Sequence, residues 1–319
     1  MSKKLENLKW KPMWATHIGC IKGCLDYLDM DVSDAWLFGA TGHAFLINMH
    51  EVVCPSGPTA WHTEMLFKLG KNLGYEIDGV LSHKGKPDFE EARKKAWEYI
   101  KKSIDEGIPC YGWELAIPEF YVINGYDDEG YLFSGPLPEP AKIPKPWQEL
   151  ASGDIGVIEM YSVKPTKPAD DATTVKQAFQ FVLEHAKSPD KWVYPKYKAG
   201  LEGFDLWIGA LETDTADGFG MAYNAAVWLE CRAYAVEFLK EAKERLDDKL
   251  APLFDEAIAH YDKVARNLKR VEEFFPFVTR KLEHIQDEAR RNKAIEALKA
   301  ARDAEAVGLE SLQKIVDQL

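Results

Sequence analysis

Hydrophobic and polar positions along the chain follow two different rhythms. Up to about residue 165, short apolar runs sit between turn signals; beyond about residue 172, apolar positions recur at helical spacing with little interruption. In the first stretch Ile18, Ile21, Leu25 and Leu28 share one helical face and predict a helix over 17–29, despite Gly19 and Gly23. Residues 44–50 and 75–81 read as strands. Ala92, Ala96, Ile100 and Ile104 predict an amphipathic helix over 89–104. Further strands are expected at 109–115, 120–125, 131–134 and 155–163, with residues 125–130 turning the chain between the second and third of these.

The Pro-rich polar segment 164–171 is the natural boundary. After it, Thr173 or Thr174 is expected to cap a helix ending near His185. Helices follow at 198–211, 223–246 and 250–274. In the last, Phe254, Ile258, Tyr261, Ala265, Leu268 and Val271 form one stripe, and Pro276 stops it. Residues 279–319 continue as one or two charged helices, with Leu298, Leu309, Leu312 and Val316 on an apolar side. No fixed period recurs, so a solenoid is not expected. The expectation is an α+β domain over 1–165 with an antiparallel meander, followed by an all-α helical domain over 172–319.

Composition narrows the function. Of 319 residues, 46% are hydrophobic and 29% charged, which excludes a disordered chain, a collagen-like repeat and a disulfide-rich mini-protein. A net charge of −12 repels phosphate backbones and anionic lipid, so neither nucleic acid nor membrane is an expected partner. The most apolar stretch, 35–49, is broken by Gly39, Thr41, Gly42 and His43 and is too short to span a bilayer. No apolar signal core is visible near Met1. Five scattered cysteines fit reduced thiols, so a cytoplasmic location is expected.

Compact catalytic signatures are missing: there is no Walker A loop, no G-x-G-x-x-G, no G-x-S-x-G, no H-E-x-x-H and no paired C-x-x-C. Chemistry must come from residues gathered in space. His17, Cys20 and Cys24 lie at i, i+3 and i+7, on one helix face. A cysteine near a helix N-terminus gains thiolate character, although these two also suit a core. His43, in Gly39-Ala40-Thr41-Gly42-His43-Ala44-Phe45, reads either as a general base or ligand or as the hydrogen-bonded histidine of a turn. His50, Glu51 and Cys54-Pro55-Ser56-Gly57-Pro58 follow it. His17, His43 and His50 lack a specific metal spacing, so no metal and no cofactor are expected.

Glu114 and Glu119 flank the apolar Leu115-Ala116-Ile117-Pro118. Facing inward, such carboxyls would rise in pKa and could do acid/base work; at strand ends they would be solvated or paired. Trp113, Glu114, Tyr121 and Asn124 are the substrate-binding expectation. Arg232, near Trp228 and Tyr234, serves either helix packing or a carboxylate.

Taken in order, these elements resemble the butirosin biosynthesis protein H family, whose N-terminal domain is papain-like and related to double-glycine-leader cysteine peptidases. In that family a helix of the form C-x4-L-x5-Y precedes a serine and a Gly-rich element. Here Thr16, Ile21, Tyr27, Ser33 and residues 39–45 take those places. A strand with an acid, a strand opening with His and closing in G-Y-D, and a D-P follow in the family. Here they become Glu114, the run from Glu119 to Asp127, and Gly135-Pro136. The helical half is similar through the run 232–241. The resemblance implies acyl transfer from a carrier protein to an aminoglycoside through a Cys/His/Asp site. The departures fall on that site: Thr16 stands in the nucleophile column, Glu119 in the His column and Gly135 in the Asp column.

Three expectations remain open. One is an acyltransferase or amide hydrolase acting on a small molecule or peptide, with Cys20 as nucleophile one turn beyond Thr16, His43 or His17 as base, and Glu119 as orienter or acid. Another is a catalytically silent relative that binds a small ligand. The third is an interaction protein whose helical half makes a homodimer.

Overall fold

The computed structural model describes residues 2–138 and 140–319. In chain order its elements are β1 (Lys3–Lys4), α1 (Thr16–Tyr27), α2 (Asp34–Ala40), β2 (Asn48–His50), α3 (Glu64–Gly70), β3 (Tyr75–His83), α4 (Phe89–Asp105), β4 (Cys110–Trp113) and β5 (Phe120–Tyr126). They continue with β6 (Gly130–Ser134), β7 (Lys145–Pro146), β8 (Val157–Pro165), α5 (Asp171–Lys187), β9 (Tyr197–Ala199), α6 (Gly200–Glu212), α7 (Gly218–Arg245), α8 (Ala251–Phe274) and α9 (Glu288–Gln318). The fold is α+β, with an N-terminal antiparallel sheet and a helical C-terminal region. Two compact units emerge: residues 2–33 with 74–168, and Asp34–Leu73 with Ala169–Leu319.

In the first unit the strands run β3-β8-β4-β5-β6-β7, and β1 pairs with β5. The long β3–β8 ladder sets Tyr161 opposite Gly79 and Glu159 opposite Leu81. Alternation along β8 sends Glu159 and Tyr161 to one face and Ser162 to the other. α1 covers the first face, where His17 meets Tyr111, Phe120 and Tyr161. α4 covers the second, where the Tyr99 and Ser162 hydroxyls lie 2.6 Å apart. The two glycines of α1 have a steric reason. A Cβ on Gly19 would stand 2.4 Å from the Lys11 carbonyl oxygen, and one on Gly23 2.1 Å from that of Lys9. The helix tolerates their entropic cost because the 9–11 segment passes directly against it.

The second unit takes in residues 34–73, which the sequence rhythm placed with the sheet. Aromatic packing explains the assignment. Phe38 stacks on Tyr234 at 4.3 Å, Trp36 tilts against Phe238, and Phe45 meets Phe179 and Tyr261 edge-on. The strand expected at 44–50 is mostly not one. Gly42, at φ 77, starts a 3-10 turn over His43–Phe45, and the Arg232 guanidinium takes the Ala44 and Leu46 carbonyls that a sheet partner would take. Only Asn48–His50 pairs, antiparallel to Tyr197–Ala199.

Helix starts also correct the sequence reading. α5 is capped by Asp170, whose carboxylate accepts the Thr173 N–H and hydroxyl, each at 2.8 Å; neither threonine is the cap. Asp217 caps α7 through its carboxylate, and the helix begins at Gly218, five residues before the expected start. In α8 the buried stripe is Phe254, Ala257, Tyr261, Val264, Leu268 and Val271, so Ala257 and Val264 replace Ile258 and Ala265. Among the described residues no helix is long and apolar enough to cross a membrane.

Candidate functional site

α1 and β5 both begin at one end of the first unit's sheet, so the first residue of the helix meets the residue just before the strand. The Thr16 hydroxyl donates to Glu119 Oε2. The same hydroxyl accepts the Phe120 N–H at 3.3 Å. Thr16 is thus held from both sides by the start of β5. Thr16 and Glu119, both expected to be catalytic, are joined directly by a hydrogen bond.

One residue on, His17 is buried and stacks on Phe120 with ring centres 3.9 Å apart. Its Nε2 lies 3.0 Å from the Tyr111 hydroxyl. The Tyr161 ring runs nearly parallel to it at 6.4 Å, and the Tyr161 hydroxyl donates to Glu159 Oε2 at 3.3 Å. Glu159 keeps some solvent contact, yet dense packing around its carboxyl pushes it up to about 7, with the Tyr161 hydrogen bond acting the other way. The face beneath α1 therefore carries a hydroxyl–carboxylate pair, an aromatic wall and a carboxyl that changes charge near neutrality.

Cys20 lies one turn into α1 and is fully buried. Burial raises its thiol well above the usual range, and Cys24 and the Glu119 carboxylate add to the rise. The helix end does not produce the expected thiolate, because Cys20 is desolvated inside the core rather than open at the tip. Glu114 sits after β4 at φ 57, with Oε2 buried and without a hydrogen-bond partner. Burial raises its pKa, while Lys145 and Lys84 act against the rise. Trp113 packs on Phe120, on the α1 side. Tyr121 belongs to the opposite face: its ring meets Phe133, and its hydroxyl accepts the Ile117 N–H. The Asn124 carbonyl receives the Leu5 N–H.

His43 belongs to the second unit. Both its ring nitrogens are buried without a hydrogen-bond partner. Burial, with the positive Arg232 nearby, lowers it to about 4. Arg232 does bind a carboxylate, the chain's own Glu305, at 2.8 and 2.9 Å. Among the described residues no group of three His, Cys, Asp or Glu is placed to hold a metal ion.

The sequence reading missed Glu159, Tyr161 and Tyr111. A signal existed for the first two: Glu159 is the lone acid inside the apolar run 155–163, and period-two alternation puts Tyr161 beside it. No family model matches the sequence, and no curated protein matches it.

Proposed function

We propose that the protein binds a small molecule at the α1 face of the first unit and carries no working nucleophile there. It is read as a papain-like relative whose Cys/His columns are filled by Thr16 and Glu119. The hydrogen bond between those two side chains carries this reading. A Cys/His pair works because imidazole takes a thiol proton near neutral pH. A carboxylate is a far weaker base than a threonine alkoxide, so the Thr16 proton stays on its oxygen. That oxygen is also engaged by the Phe120 N–H. Cys20 offers no substitute, since burial keeps its thiol protonated.

The test is acylation. Incubated with an acetyl thioester of N-acetylcysteamine, the native chain is expected to show no acyl adduct by intact mass. The paired replacement Thr16→Cys with Glu119→His is expected to gain one at position 16. An adduct at position 16 or 20 of the unaltered chain would overturn the proposal.

Glu159 favours a second reading, in which a bound molecule undergoes proton transfer without a covalent intermediate. A carboxyl near 7 beside a tyrosine hydroxyl is matched to general acid–base work. Carbon-detected NMR of the glutamate carboxyls is expected to show Glu159 titrating near pH 7, with that resonance absent in Glu159→Gln. An exposed glutamate titrates near about 4.3. A Glu159 midpoint there would remove this reading.

A further inference from the structure

The second unit holds a set of buried polar atoms that its own chain does not satisfy. His43, Asn48 and Trp192 are 3%, 0% and 6% exposed. Both ring nitrogens of His43, Nδ2 of Asn48 and Nε1 of Trp192 lack a hydrogen-bond partner. These side chains belong to one aromatic cluster. The His43 ring lies 6.0 Å from Trp61, and Trp61 lies 6.4 Å from Phe181. Phe181 in turn meets His185 at 5.9 Å and Trp192 at 5.3 Å. His185 Nε2 is 2.9 Å from Asn48 Oδ1, which closes the group on the Asn48 side. Leaving a buried donor or acceptor unpaired costs its full desolvation penalty, so four such atoms linked through one chain of ring and hydrogen-bond contacts call for a partner.

The chemistry of the cluster restricts its occupant. Burial holds both imidazoles neutral, at about 4 for His43 and about 3 for His185. Arg232, whose charge acts on both imidazoles, is engaged by Glu305 and by two backbone carbonyls. A charged guest would meet no counter-charge and would lose its hydration. The unpaired groups are mostly donors: the Asn48 amide N–H, the Trp192 indole N–H and one His43 N–H. The second His43 nitrogen is an acceptor. Trp61 and Phe181 supply flat apolar surface.

We infer that the His43–Asn48–Trp192 cluster is a binding site for a small uncharged molecule that has a carbonyl oxygen, one N–H and an apolar or aromatic body, as a carboxamide does. The carbonyl takes the Asn48 and Trp192 donors, and the N–H goes to His43. His43, Asn48 and Trp192 belong to the second unit and Thr16 and Glu119 to the first, so either proposal can fail alone.

Benzamide is the probe, with benzoate and benzylamine as charged counterparts and ordered water as the competing occupant. Binding is read on the intact chain from the indole N–H and imidazole resonances. Benzamide is expected to shift the Trp192 indole and His43 signals saturably, while benzoate and benzylamine leave them unmoved. Trp192→Phe keeps an aromatic ring, though a smaller one, and removes one donor, so it is expected to weaken benzamide about tenfold, the equivalent of one hydrogen bond. Asn48→Ser provides a second variant with the same direction. Either of two results overturns the proposal. One is that benzamide moves nothing up to its solubility limit and the cluster shows only exchanging water. The other is that benzoate binds as well as benzamide.

Discussion

Glu305→Gln is expected to destabilise the second unit by roughly 3–5 kcal/mol, the usual cost of removing one partner of a buried ion pair. Arg232 is fully buried and Glu305 is 2% exposed, so water cannot take over from the lost carboxylate. The pair is bidentate, with Nε and Nη2 each bonded to one carboxylate oxygen. The remaining arm of Arg232 holds the Ala44 and Leu46 carbonyls at 2.9 and 2.8 Å. The guanidinium therefore ties α7 to α9 and to the turn that carries His43. Glutamine keeps the shape and one acceptor but leaves a buried positive charge without its counter-ion. Fluorotryptophan reporters separate the units: Trp228 lies in α7, and Trp97 lies in α4. Urea unfolding is expected to move earlier at Trp228 and to stay in place at Trp97. Arg232→Met combined with Glu305→Leu removes both charges and is expected to recover much of the loss, because an apolar pair of similar volume is often as stable. A loss under about 1 kcal/mol in the single variant would mean that the pair does not organise this unit.

Acid should unfold the second unit first. His43 and His185 carry folded pKa values of about 4 and about 3, against the usual 6.5, because burial and then Arg232 oppose their charged forms. The unfolded chain therefore binds more protons than the folded one in this range. The stability from the neutral imidazoles is complete above about pH 6.5 and is lost as pH falls towards 4 and 3. By pH 5 the two together account for about 4 kcal/mol, an order-of-magnitude figure. Glu159 in the first unit runs in the opposite sense. Its folded value of about 7 lies above the usual 4.5, so acidification relieves the cost of its burial. Between pH 7 and pH 5 the Trp228 transition is expected to fall steeply in urea, while the Trp97 transition holds or rises. His185→Gln keeps a donor for Asn48 and removes one titration, so it should remove about half the slope at Trp228. Equal pH slopes at the two reporters would refute the assignment.

Much of the fold is legible in the sequence because its determinants are local. The β5–β6 hairpin turns where the Asp127 carboxylate accepts the Glu129 and Gly130 N–H groups, inside the expected 125–130 segment. Period-two runs locate β3, β5, β6 and β8 to within a few residues. What local pattern cannot reveal is long-range competition for the same backbone. The 44–50 segment has strand character, yet Arg232, far along the chain, takes its carbonyls. The site follows the same rule. Thr16 and Glu119 stand out only through their order in the chain, and their meeting depends on where α1 and β5 both start. Cys20 misleads because position on a helix does not reveal burial, and burial decides its thiol. Glu159 escaped because a lone acid in an apolar run looks like an ordinary strand residue until its face is known.

The central claim, that the α1 site lacks a nucleophile, is tested most directly by alkylating the native chain with iodoacetamide across a pH series, read at each cysteine by mass spectrometry. Cys20, Cys24, Cys110 and Cys231 are buried, and burial raises each of their thiols. Cys54 is only half-buried, with its sulfur 2.7 Å from the Ser56 hydroxyl. Cys54 is expected to react in the folded protein, while the other four stay protected until the chain unfolds. Rapid labelling of Cys20 in the folded state, below the ordinary thiol pKa of about 8.5, would contradict the account and make Cys20 an activated nucleophile.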